Sequence, residues 1–96
     1  MNYKGDNTAA FNNNFINIEL DNPSEYVISK AEFVCGCIRK TFENPVFPLI
    51  VNFDENDTKK LNFKNTGYLI VWDEQNRPKQ CDGCINFEFK NGVING

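Results

Sequence analysis

Gly67-Tyr68-Leu69-Ile70-Val71-Trp72-Asp73 sets five large apolar residues in a row between a glycine and an acid. A strand sends successive side chains to opposite faces, so a run apolar at every position belongs where both faces are covered. Five residues rich in β-branched and aromatic side chains are too few for a buried helix and the right length for a strand. Tyr68 to Trp72 is therefore expected at the centre of a sheet. Downstream, Ile85, Phe87 and Phe89 alternate with Asn86, Glu88 and Lys90, the pattern of a strand with one face in a core, and Asn91-Gly92 ends it. Upstream, Val27 to Arg39 reads as one long strand with Val27, Ser29, Ala31, Phe33, Cys35 and Cys37 on its inner face. The expected order places Tyr68–Trp72 between these two strands, with Phe33, Ile85 and Phe87 in the core.

The remaining segments follow the same grammar. Phe11 and Phe15-Ile16-Asn17-Ile18-Glu19-Leu20 read as a strand whose exit turn is Asp21-Asn22-Pro23. Asn22-Pro23-Ser24-Glu25 also has the form of a helix start, with Asn22 as cap and Pro23 in the first turn, and Val27, Ala31 and Val34 would then share a side. Leu49-Ile50-Val51-Asn52-Phe53 forms a short strand just after Pro48, where a missing amide is tolerated. Asp54 to Thr58 is a turn or one helical turn, Leu61 and Phe63 resume alternation, and Asn65-Thr66-Gly67 turns the chain into the central strand. Asp73 to Pro78 makes a hairpin loop. About seven short strands with no long helix predict an all-β fold, an immunoglobulin-like two-sheet antiparallel β-sandwich with aromatic inner faces.

Composition bounds the rest. Ninety-six residues, 41% of them hydrophobic and 14% aromatic, suffice for one domain over residues 1–96 and for one core. Ten basic against thirteen acidic residues leave a net charge of -3, with no basic run longer than Lys59-Lys60, so no nucleic-acid partner is expected. Met1-Asn2-Tyr3-Lys4-Gly5-Asp6 lacks the apolar stretch of a signal peptide, and no apolar run approaches the ~20 residues of a membrane span. Neither secretion by a signal peptide nor a membrane partner is expected.

Few residues offer chemistry. The chain has no histidine, which removes the commonest general base and every Ser-His or Cys-His pair. Asp54 with Asp57, and Asp73 with Glu74, sit in turns where acids serve solubility and local hydrogen bonding. No glycine pattern for cradling phosphate occurs. No enzyme activity, catalytic residue, cofactor-binding residue or cofactor is expected. Cys35-Gly36-Cys37 and Cys81-Asp82-Gly83-Cys84 supply the ligand count of a tetrahedral zinc site. Two side chains at i and i+2 of a regular strand stand about 7 Å apart, and strands two places apart lie about 9.6 Å apart, too far for one ion. Free thiols are the expectation, with no metal site. Asn56-Asp57-Thr58 has the form of a glycosylation acceptor, read here as turn chemistry.

With the strands placed, the order Lys4-Gly5-Asp6, Phe11, Arg39, Asp57-Thr58-Lys59-Lys60-Leu61, Gly67 to Asp73, and Gly83 before Ile85-Asn86-Phe87 resembles the small immunoglobulin-like modules of phage tail, tail-fibre and baseplate proteins, including N-terminal regions of baseplate upper proteins. The chain departs from that pattern where Asn7 separates Asp6 from Thr8, and in its four cysteines. The resemblance implies a non-enzymatic structural or adaptor module that binds other proteins, virion components or its own copies as a homo-oligomer, in a virion or the cytoplasm of an infected bacterial host. A phage-encoded inhibitor of a host defence protein, of the anti-CRISPR kind, and a zinc-stabilised binding module are the alternatives. Lys4 to Phe11, short and free of proline, is the edge expected to pair with a neighbour.

Overall fold

The computed structural model describes residues 7–21 and 27–96. Nine strands and one helical turn follow in chain order: β1 (Asn7–Phe11), β2 (Phe15–Leu20), β3 (Ile28–Cys35), β4 (Ile38–Glu43), β5 (Leu49–Asn52), α1 (Glu55–Thr58), β6 (Lys64–Asp73), β7 (Pro78–Gln80), β8 (Ile85–Lys90) and β9 (Val93–Asn95). They form two antiparallel sheets. The smaller runs β1-β2-β5, and the larger runs β4-β3-β6-β8-β9 with β7 also paired to β6. The fold is the expected all-β two-sheet sandwich, with nine strands rather than about seven.

The inner faces are written in the alternation. Ile16, Ile18 and Leu20 of β2 and Leu49 and Val51 of β5 meet Ala31, Phe33 and Cys35 of β3, Leu69 and Val71 of β6, and Ile85 and Phe87 of β8. β6 lies between β3 and β8, but its Tyr68–Trp72 half pairs with β3 and β7 while Lys64 to Gly67 pairs with β8, so the expected order holds for the strand and not for that segment; Phe33, Ile85 and Phe87 are all buried. Phe53 ties the layers together. Its ring lies edge-on to Phe33 at 6.1 Å and tilted against Phe87 at 6.1 Å, while Phe87 also meets Phe11 of β1 at 6.0 Å.

Three readings of the sequence need correction. Val27 to Arg39 is two strands: Gly36 adopts a φ of +56°, and a two-residue turn folds Ile38 back opposite Cys35. Glycine at the first central position is what a tight hairpin turn with one positive φ demands. Cys37 is therefore exposed in the turn rather than inward-facing, and Val27 is exposed before the strand begins. Asn65-Thr66-Gly67 is not a turn but the first half of β6, paired with Phe87, Asn86 and Ile85. An added Cβ on Gly67 would lie 2.7 Å from the Phe33 ring, so this glycine serves a close approach inside a strand. Leu61 and Phe63 precede β6 rather than forming a strand, and Phe63 is half exposed. The missed strands β4, β7 and β9 are hairpin returns. The proposed helix start at Asn22 lies outside the described residues, but Ile28 to Cys35 is strand.

Candidate interaction edge

A sandwich has strand edges, and each edge amide is either committed or available. Parity settles which, because hydrogen-bonded and non-hydrogen-bonded pairs alternate along an antiparallel ladder. In the larger sheet, Asn44 donates its backbone N–H to Ser29 at 2.8 Å, so Arg39, Thr41 and Glu43 of β4 point their backbone groups outward. This edge carries charge. Arg39 pairs with Glu32 at 3.0 Å and Thr41 donates to the same carboxylate at 3.2 Å. β9 is three residues long, and Ile94 donates its backbone N–H to Asn13 at 3.1 Å. β7 is equally short and begins with Pro78.

In the smaller sheet, β1 is paired with β2 from Asn7↔Leu20 to Phe11↔Ile16. Lys4 to Asp6, the start of the expected edge, lie outside the described residues. The rest of that edge is tied at both ends to the larger sheet. Asn7 donates its backbone N–H to Asp82 at 3.4 Å, and its side-chain amide donates to Asp82 at 2.8 Å and Gly83 at 3.2 Å. The Asn13–Ile94 bond closes the other end, and the Phe11 ring packs toward Phe87. Between those ties the backbone groups of Ala9 and Phe11 also point away from β2.

Among the described residues, β5 has no backbone tie of that kind to the larger sheet. Phe53 donates its backbone N–H to Asn14 at 2.9 Å, which makes Asn14↔Phe53 a hydrogen-bonded pair and Phe15↔Asn52 a non-bonded one. The N–H and C=O groups of Asn52 and Ile50 therefore point away from β2. Among the described residues, no backbone bond beyond the β2 ladder reaches them. Pro45-Val46-Phe47-Pro48-Leu49-Ile50-Val51-Asn52 contains no charge. Its exposed face carries Ile50, 41% exposed, and Asn52, and Val46 ahead of the strand is 78% exposed. The strand is short, four residues just after Pro48, but it carries no charge and no described backbone bond covers its outward side. Beside Ile50, opposite it in register, stands Asn17, whose Oδ1 is buried without a hydrogen-bond partner.

The residues singled out for chemistry are placed elsewhere. Asp54 caps α1 by accepting from the Asp57 N–H at 2.8 Å, and Asp57 accepts in return from the Asp54 N–H at 3.0 Å. Lys40 of β4 donates to the same Asp57 oxygen, which fastens α1 to the larger sheet. Burial pushes the Asp57 carboxyl up, but the Lys40 hydrogen bond, the Asp54 N–H and the Lys40 charge outweigh it and hold the carboxyl below its ordinary value. Asp73 repeats the arrangement in the β6–β7 loop, accepting from the backbone N–H groups of Gln75 at 3.0 Å and Arg77 at 2.8 Å and from Arg77 Nε at 2.7 Å. Burial opposes ionisation there too, and the Arg77 contacts prevail, so its carboxyl is also lowered. A general acid at neutral pH needs the opposite shift. Cys35 and Cys81 are buried, Cys37 and Cys84 exposed, and none of the four is in a disulfide. Among the described residues no three His, Cys, Asp or Glu side chains gather as metal ligands. No described helix is long and apolar enough to cross a membrane.

No protein-family model, curated protein or solved structure matches this chain.

Proposed function

We propose that this chain is a non-enzymatic protein-binding module that captures an extended segment on the β5 edge. The observation that carries the reading is the pair of outward-facing, uncommitted backbone groups at Ile50 and Asn52, set in an uncharged stretch beside exposed Val46 and Ile50. Strand addition draws affinity from main-chain hydrogen bonds and specificity from alternate side chains, and both are offered here. The two partly buried carboxylates are held ionised by Lys40 and Arg77, which favours scaffolding over acid–base work. The narrower form of the proposal is a structural or adaptor module of a phage tail or baseplate. Its support is the likeness of Asp57-Thr58, Gly67 to Asp73 and Gly83 to Phe87 to such modules.

The test uses the immobilised chain as bait for lysate of its source cells, beside the Asn52→Pro and Ile50→Lys variants. Asn52→Pro removes an amide that β2 does not use, and proline is tolerated on such an edge. The reading expects retained proteins that both variants lose. An identical set of captured proteins with all three baits would refute it.

A further inference from the structure

We infer that the β5 edge pairs with the β5 edge of a second copy, antiparallel about a two-fold axis through Val51. The inference rests on the reading of β5 as a binding edge and names its occupant. Only Ile50 and Asn52 of β5 turn their backbone groups outward, one on each side of Val51. An antiparallel neighbour centred on Val51 sets Ile50 of one copy opposite Asn52 of the other, and the reverse, so each outward N–H and C=O meets its complement. Leu49 then lies opposite Phe53, and Asp54 falls opposite Pro48. No two charges of like sign face each other in this register, the condition that most often forbids self-pairing. The inner-face residues Leu49, Val51 and Phe53 continue into those of the copy, and the two three-stranded sheets become one.

On the outer face the copy's Asn52 would stand beside Ile50. The symmetry is of the isologous kind that closes at two copies rather than extending into a fibre. On the other edges, β4 engages Arg39 and Thr41 with Glu32, and β1 is tied to Asp82 at Asn7.

Sedimentation equilibrium over micromolar to millimolar concentrations tests the inference on the whole chain, with a reducing agent present because Cys37 and Cys84 are exposed. The weight-average mass should climb from 11.1 kDa toward twice that value, and Asn52→Pro and Ile50→Lys should each stay at 11.1 kDa throughout. Thermal transitions recorded on the same samples establish that the variants are folded. If Asn52→Pro misfolds, Ile50→Lys decides, since its side chain is on the exposed face. A dimer unaffected by Ile50→Lys would overturn the inference by placing the contact on another surface. A wild-type monomer at every concentration would overturn it as well. If that monomer still captured proteins that the variants lose, the binding-edge reading would survive with a different occupant, whereas the loss of both results would remove both.

Discussion

Phe87→Ala should do more than open a hole in the core, because Phe87 is where the sheets are joined. Its ring is 3% exposed, stands 6.0 Å from Phe11 on β1, and stands 6.1 Å from Phe53 at the end of β5. Removing a buried phenylalanine ring costs about 3–5 kcal/mol through lost transfer energy and the cavity left behind. Each aromatic pair contributes roughly 0.5–1.5 kcal/mol beyond buried area, so the loss of two pairs places this site in the upper part of that range. In a domain of this length about 1 kcal/mol corresponds to roughly 4–8 °C in Tm, so the midpoint should fall by at least about 12 °C. Urea unfolding monitored at Trp72 provides the free energy directly. Phe87→Leu, which keeps most of the volume, should cost less than about 1.5 kcal/mol. A Phe87→Ala penalty below about 1 kcal/mol, or equal penalties for the two variants, would show that the ring does not hold the sheets together.

Gly67→Ala should destabilise by about 1–2 kcal/mol, the overpacking of a Cβ 2.7 Å from the Phe33 ring being partly offset by reduced freedom of the unfolded chain. Phe33→Leu should relieve part of that penalty in a double-mutant cycle, and additive costs would remove the ring from the explanation. Asp57, lowered despite its burial, contributes stability that is complete above the ordinary carboxyl value of 3.8 and is lost as pH falls through its lower folded value. Asp57→Asn should therefore flatten the acid limb of the stability curve below that pH; an unchanged limb would mean that Lys40 does not stabilise the carboxylate. A thiol reagent should modify Cys37 and Cys84 in the folded chain and reach Cys35 and Cys81 only on unfolding. Burial pushes the Cys35 thiol up and slows it further. Fast reaction at Cys35 would contradict its place in the core.

Which features could be read from the residues alone follows from how many physical signals each carries. Tyr68–Trp72 and Ile85–Phe89 combine strand composition with unbroken periodicity, and both are strand as expected, although Tyr68–Trp72 has β7 rather than β8 as its second neighbour. Cys35-Gly36-Cys37 kept the alternation going on paper, because a two-residue hairpin turn preserves the spacing of apolar residues. Only the positive φ at Gly36 exposes the reversal. Asn65-Thr66-Gly67 misleads for the opposite reason. Its turn-like composition serves tertiary needs: Asn65 donates to and accepts from the backbone of Asn62, at 2.8 and 2.9 Å, and Gly67 admits Phe33. The edge proposed for binding is not the one expected from the residues. Residues 7–11 look as unprotected as 49–52, and the difference lies in the Asn7–Asp82 and Asn13–Ile94 bonds, which join residues far apart in the chain.

Amide hydrogen exchange resolved by residue tests the central claim most directly, because it counts the bonds that the β5 edge leaves free. In dilute solution the account predicts that Ile50 and Asn52 exchange quickly while Val51 and Phe53, bonded to β2 and its loop, exchange slowly. At high concentration Ile50 and Asn52 should become protected, and Arg39, Thr41 and Glu43 on the charged edge should not. Protection of Ile50 and Asn52 already in dilute monomer, or fast exchange at every concentration, would contradict the account.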